Sequence, residues 1–423
     1  MKISIIADCH LNKALYKGIM DKLQPFIPFR NADFMRAFEY MVDENINKIK
    51  PDLVVVAGDI YDTFDPSNAV RGFFNSQLQR LSAANIPVIL MVGNHDICRK
   101  HHALKPIQEL NLKSIKVVEN PKMIEFKGTL LMIFPYSLDV EQNKITIKKQ
   151  FHDFVADCKV KIENKGMQDK EVLFFGHFGV KGASISEYET KNAVAKIANK
   201  TKRSFINDNG KDISLEDLDS IGAKYAFLGD YHKHQILATK SVKAMYTGSI
   251  EKSDMSEIDQ KKGFVVYDSE MAESPRMGTC KFIEYPNCRP MIELKGTLLE
   301  MHEQLNALDT SDKKYDAAIV KIAFVGDSVQ LSSFAEGLEG LKREIKQEAN
   351  PVHMFHTQKV ANIEESEEAS SIEQEIMDRG NLTNDDVLDV VSAMICERES
   401  DEDEQKVLLA LAEDIYKTTM EGE

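Results

Sequence analysis

The chain has 423 residues, 43% of them hydrophobic, a formal net charge of −15 and six cysteines. Its length exceeds what one core usually fills, so two or three compact units are expected, and no stretch approaches the roughly 18 apolar residues of a membrane helix. The cysteines form no C-x-x-C pair, which excludes a zinc ribbon and a disulfide framework and leaves them as reduced thiols. The opening Met1-Lys2-Ile3-Ser4-Ile5 reads as a strand and not as a secretion signal, so a soluble, cytoplasmic protein is expected. The acidity is local. Residues 361–423 carry 20 acidic and 4 basic side chains, a net of −16, which leaves the preceding 360 residues at +1. A near-neutral body neither requires nor forbids a polyanionic partner.

Five short apolar runs read as buried strands: Ile3 to Ala7, Leu53 to Ala57, Val88 to Val92, Val172 to Phe175 and Tyr225 to Leu228. Between the first two, Phe34, Phe38, Met41, Val42 and Ile49 recur at three- and four-residue intervals and predict a helix from Asn31 to Lys48. Strands alternating with helices up to about Cys280 make one α/β unit. After Pro286 and Pro290 the pattern changes to a strand and helix (Met291 to Leu308), an alternating strand in which Ala318, Val320, Ile322 and Phe324 share a face, and a helix from Leu331 to Glu348. That succession predicts a small α+β unit. Glu364 to Ser371 is too polar to order itself and reads as a linker. Two amphipathic helices follow, beginning near Thr383 and Ser400, and neither buries its apolar stripe alone, so they are expected to pack on the body or on a partner. The expected boundaries are 1–285, 286–360, an acidic linker 361–380 and a helical tail 381–423.

Each apolar run ends at metal-suited side chains: Asp8 and His10, Asp59, Asn94, His177, then His232 and His234. Open sheets place their sites at the carboxyl ends of strands, where these residues fall. Two divalent cations a few ångströms apart can bind the attacking and leaving oxygens of a phosphoryl displacement, and such a pair needs a bridging carboxylate. Asp59 is the natural bridge, because Gly58 permits a tight turn off the strand end. Asp8 and His10 stand two apart, so in extended backbone they face the same way and grip one ion; His232 and His234 repeat that spacing. Asn94 completes one shell, His95 faces the substrate as the catalytic residue, and Asp96 is expected to orient the His95 ring. Imidazole, carboxylate and amide donors favour manganese, iron or zinc over magnesium, with manganese first. Cys9, between two of the expected ligands, reads as neutral packing.

The ordered set Asp8-x-His10, Gly58-Asp59-x-x-Asp62, Gly93-Asn94-His95-Asp96, Gly176-His177 and Gly229-Asp230-x-His232-x-His234 resembles the calcineurin-like metallophosphoesterases. Asp62-Thr63, Gly182-Ala183-Ser184, Thr247-Gly248-Ser249-Ile250 and Lys262-Gly263-Phe264 narrow the resemblance to the SbcD-type nucleases of bacterial double-strand-break repair complexes. It covers roughly residues 1 to 350. The resemblance implies a four-layer fold of two sheets flanked by helices, a small α+β domain capping DNA, and a C-terminal helical tail that binds an SbcC-like coiled-coil ATPase. It assigns Asp8, His10, Asp59 and His234 to one Mn²⁺ and Asp59, Asn94, His177 and His232 to the other, with Asp62 and Ser249 as substrate contacts. It further implies a homodimer, for which the helix around Phe73-Phe74 is a candidate, though a core-facing helix is its default reading, and an exonuclease and hairpin endonuclease. A phosphoesterase acting on a small phosphodiester or a phosphoprotein is the nearest alternative.

Overall fold

The computed structural model describes residues 1–360 except 14, 17–18, 25, 99–100, 138–144, 185–212 and 309–314; the expected linker and tail lie outside the described residues. Two six-stranded sheets form the body. In the first the order is Cys280–Glu284, Gly263–Asp268, Lys2–Ile6, Leu53–Ala57, Val88–Met91, Ile115–Val118; in the second it is Gln235–Ile236, Lys243–Tyr246, Tyr225–Gly229, Val172–His177, Thr129–Phe134, Lys122–Phe126. The five strands read from the sequence are all present, and within each sheet those that carry site residues run parallel.

The strands are apolar on both faces because both faces are covered. Ile3, Ile5, Val55 and Met91 of the first sheet meet Leu131, Phe175 and Phe227 of the second to form the inner core. Alternate residues, Ile6, Val54 and Val56, point outward against helices α1 (Phe29–Glu44) and α2 (Asn68–Ala83). Phe174 and Leu228 do the same beneath the helix Ile147–Asn164. The result is four layers: helix, sheet, sheet, helix. Phe74 is fully buried in this packing and Phe73 partly so, so the α2 stripe packs on the core.

Helix α1 begins two residues before its expected start and ends at Glu44, where a single π turn, Asn45–Ile49, takes over. The cause is Asn45. Its fully buried amide donates to the Met41 carbonyl at 2.7 Å and its oxygen accepts from Ser4 Oγ, so one side chain draws the helix end onto the sheet.

A third sheet of three parallel strands, Met291–Gly296, Ile319–Gly326 and His353–Val360, packs against helices Leu298–Asn306 and Ser328–Ala349. Ala318, Val320, Ile322 and Phe324 share its buried face. The last strand is absent from the sequence expectations, since its run His353-Met354-Phe355-His356-Thr357-Gln358 alternates weakly and it lies at the sheet's edge. Phe29, Met255, Met291 and Ile319 join this sheet to the body through a small apolar cluster. No helix among the described residues is long and apolar enough to cross a membrane.

Candidate metal centre

The carboxyl ends of the central strands of both sheets open onto one edge, and the loops leaving them run together. The backbone amides of Asp8 and His10 donate to the carbonyls of Gly58 and Asp59 at 3.2 and 3.0 Å, which zips the first two loops in parallel. Asp8, His10 and Asp59 all take left-handed backbone conformations (φ 51°, 40° and 48°), and Asp230 another at 98°. Such residues cost of order 1–3 kcal/mol each and gather at functional sites. The extended geometry expected of Asp8 and His10 is therefore corrected: the chain winds, and their side chains reach different neighbours. Two glycines make room. A Cβ on Gly58 would lie 2.2 Å from His177 Nδ1, and one on Gly93 would lie 2.1 Å from the Asp59 amide nitrogen.

Asp59 sits at the middle. Its Oδ1 is 3.3 Å from His177 Nε2 and its Oδ2 is 3.8 Å from His10 Nε2, so the two oxygens face two groups of donors. On one side His177 Nε2 is 3.0 Å from Asn94 Oδ1, with Asp8 Oδ1 4.0 Å from His177 Nδ1. On the other, His10 Nε2 is 3.0 Å from His232 Nε2. Two nitrogens bonded to one cation at about 2.1 Å would stand roughly 3 Å apart. His95 completes a cluster with His10 and Asp59, its ring centroid 4.9 Å from that of His10.

The rings are held from outside. His177 Nδ1 donates to the Ala57 carbonyl and His232 Nδ1 to Glu257 Oε1, each at 2.8 Å, leaving Nε2 directed inward. His10 Nδ1 lies 3.1 Å from Asp62 Oδ1, whose oxygen also receives Lys13 Nζ at 2.7 Å. The acceptors behind His177 and His232 fix their tautomers as metal-binding histidines require.

The electrostatics fit a divalent cation. Asp8, Asp59, His10 and His177 are buried together, and Asp8 Oδ2 has no hydrogen-bond partner among the described residues. Burial pushes Asp8 up to about 7 and the His10 imidazole down to about 3, so that His10 is neutral and able to ligate. His177, which burial would lower, is carried up to about 10 by the charges of Asp59 and Asp8. Carboxylates crowded this closely need positive charge between them, and without a cation an imidazolium has to supply it.

Of the expected pair, His232 is the residue beside His10. His234 has its Nδ1 on the Tyr246 carbonyl at 2.8 Å, the same arrangement as His177 on Ala57, and its ring stacks on Phe282 at 4.2 Å. Two expectations are corrected. Asp96 does not orient the His95 ring; the Asp62 carbonyl does, 2.9 Å from Nδ1. The fully buried Asp96 carboxylate instead accepts from the amides of Ile60, Tyr61 and Gly93 at 3.2, 2.9 and 2.9 Å, stapling the Asp59 loop to the Asn94 loop. Ser249 cannot touch a substrate, being fully buried with its hydroxyl between Lys262 Nζ and the Glu251 carbonyl. Asp62 faces His10 and Lys13 in this structure. Cys9 is core packing, as expected.

Asp230, quoted in a motif without a role, and Glu257 and Lys13, in no motif, are neighbours that sequence reasoning did not assign. Asp230 donates its amide to Asp8 Oδ1 at 2.9 Å, and its charge helps raise His177. Its signal was the position itself, directly after Gly229 at a strand end.

The family model for calcineurin-like phosphoesterases matches residues 1–234. The chain is similar to SbcD, a component of the SbcCD nuclease of Staphylococcus epidermidis, being 27% identical over 276 residues that make up 64% of this chain and 66% of that protein, just under two thirds of it. Two solved structures are also similar: the phosphopantetheinyl hydrolase of Mycobacterium tuberculosis (13% identity, 59% of this chain and 90% of that one, TM-score 0.31) and GAP50, the anchor in the inner membrane complex of Plasmodium (12%, 67% and 84%, TM-score 0.38). At such TM-scores neither bears on function. With the family match running through more than half of its length, the chain belongs to the calcineurin-like phosphoesterases, a family of divalent-metal hydrolases.

Proposed function

We propose that this chain is a nuclease that hydrolyses the phosphodiester backbone of DNA at a centre of two divalent cations, manganese first among them. The observation that carries two ions is the Asp59 carboxylate, with one oxygen 3.3 Å from His177 and the other 3.8 Å from His10. In this reading His10, Asp59 and His232 would hold one cation, and Asp8, Asp59, Asn94 and His177 the other. When bound, the pair neutralises charge on the attacking and leaving oxygens and makes a nucleophile of water near neutral pH.

The chain's own residues do the remainder. Asp59, Asn94 and the inward Nε2 atoms of His10, His177 and His232 fix the place of the phosphate. His95, its Nδ1 anchored on the Asp62 carbonyl, offers an imidazole to contact that phosphate or protonate the leaving alkoxide, a contribution of about 10²- to 10⁴-fold. Asp96 keeps the two loops that carry Asp59 and Asn94 in register. Residues 1–285 are the nuclease domain in this reading, and residues 286–360 a cap over DNA beside the edge.

The similarity to the staphylococcal SbcD nuclease supports DNA as the substrate and, with the tail 381–423 as its attachment, a coiled-coil ATPase of the SbcC kind in repair, recombination or replication. The test is to assay the full chain in Mn²⁺ on linear duplex DNA and on bis-p-nitrophenyl phosphate, with and without such an ATPase. DNA hydrolysis that needs Mn²⁺ and is lost in Asp59→Asn is expected. Turnover of the small ester with none of any DNA would point to a small-ester phosphoesterase, and no metal-dependent turnover of either would end the reading.

A further inference from the structure

His232 is steered by a carboxylate that no strand-end pattern announces. Glu257, in the one-turn helix Met255–Glu257, is fully buried, and its Oε1 accepts from His232 Nδ1 at 2.8 Å. Its Oε2 accepts from the Ser253 amide at 2.7 Å and pairs with Lys262 Nζ at 2.7 Å. Lys262, equally buried, also donates to the His232 carbonyl at 3.1 Å, to Ser249 Oγ at 2.8 Å and to Gln260 Oε1 at 2.9 Å. One buried ion pair thus holds His232 twice, at the ring by its anion and at the backbone by its cation.

Taking two charges out of water is costly, and apolar side chains of similar volume would fill the space at least as well. The pair is worth that cost where it directs something. What it directs is visible: with Nδ1 engaged by Glu257, the nitrogen that His232 turns toward the centre is Nε2, which lies 3.0 Å from His10 Nε2. We propose that Glu257, braced by Lys262, is a positioning residue that fixes the Nδ1–H tautomer of His232 and aims Nε2 at the cation shared with His10. This rests on the two-cation reading above and adds to it a residue some 25 positions along the chain.

The experiment is a Mn²⁺ titration of the full-length chain by isothermal calorimetry, with circular dichroism as the check on folding. Wild type binds two ions. In Glu257→Gln one of the two affinities falls by about 10- to 100-fold and the other is unchanged, the usual consequence of losing an outer partner of a metal-binding histidine. In a His232→Ala background the same substitution changes Mn²⁺ binding no further, because a residue that acts through His232 has nothing left to act on. Should Glu257→Gln fail to fold with Lys262 unpaired, the double variant Glu257→Gln/Lys262→Met, which removes both charges, carries the same expectation. Two wild-type affinities in the folded variant, or an undiminished loss in the His232→Ala background, overturns the proposal while leaving the two-cation reading in place. A wild type that binds fewer than two ions overturns that reading first.

Discussion

The guanidinium of Arg289 closes on the carboxylate of Asp33, Nε to Oδ2 at 3.0 Å, and joins the approach to the third sheet to helix α1. The same side chain donates from Nη1 to the Ala317 carbonyl at 3.1 Å, and its backbone amide donates to Glu251 Oε2 at 3.2 Å. Glu251 opens the stretch that carries Glu257 and Lys262, so this one residue touches the first helix, the segment behind His232 and the small sheet.

Arg289→Ala therefore loosens the junction between the body and the three-stranded unit. Breaking a buried pair costs about 3–5 kcal/mol, but Asp33 keeps Arg30 and Arg36, so a loss of about 2 kcal/mol is expected, read as a lower melting temperature in scanning calorimetry. Burial would raise the Asp33 pKa, yet Arg30, Arg289 and Arg36 together hold it below its ordinary value. A lowered carboxylate stabilises the fold above its unfolded pKa of about 3.9 and ceases to do so as pH falls through its folded value. The difference between wild type and Arg289→Ala should thus be full at neutral pH and shrink in the acid range below about 4. A difference that is constant down to pH 2 would deny Asp33 that role.

The two histidines near the end of the Tyr225–Gly229 strand should separate cleanly. His232→Ala removes one of the nitrogens that stand 3.0 Å apart and should weaken one Mn²⁺ affinity while leaving the other unchanged. His234→Ala loses a hydrogen bond to Tyr246 and a stack on Phe282, about 1 kcal/mol of stability, and should keep both equivalents. Calorimetric affinities decide, and the opposite pattern would make His234 the ligand of the two.

Why the sequence distinguished some of these residues and not others has a physical cause. Asp8, Asp59, Asn94 and His177 were legible because each follows an apolar run, and parallel strands bring their carboxyl ends to one edge. His232 and His234 were not separable, because positions two apart share a face only while the chain stays extended, and it departs from that at Asp230. Asp96 was misread because its partners, Ile60 and Tyr61, arrive from a loop about 35 residues earlier that no local pattern links to it. Glu257 and Lys262 fall outside regular strands and long helices, where periodicity carries no information. The third sheet's outer strand escaped for a related reason, its residues being too polar to mark a buried face.

His95→Asn should leave Mn²⁺ stoichiometry at two while lowering kcat on DNA by about 10²-fold or more, since the ring is anchored by the Asp62 carbonyl. His95 does lie within reach of the His10 and Asp59 donor atoms, so the alternative is specific: loss of one ion with the activity would make it a ligand. Measuring stoichiometry and kcat on the same preparation tells them apart.

Loading of the centre should release protons. Without a cation the His177 pKa, which burial alone would lower, stands at about 10 because Asp59 and Asp8 surround it, so across the neutral range the ring holds a proton that a metal must displace. Because the pKa is raised, apparent Mn²⁺ affinity should climb with pH from 6.5 to 8.5, by up to about tenfold per unit for one displaced proton. Titrations in two buffers of different ionisation enthalpy measure the released protons directly. Equal apparent heats in both would mean that His177 is already neutral, and that the carboxylates around it are balanced by some other charge.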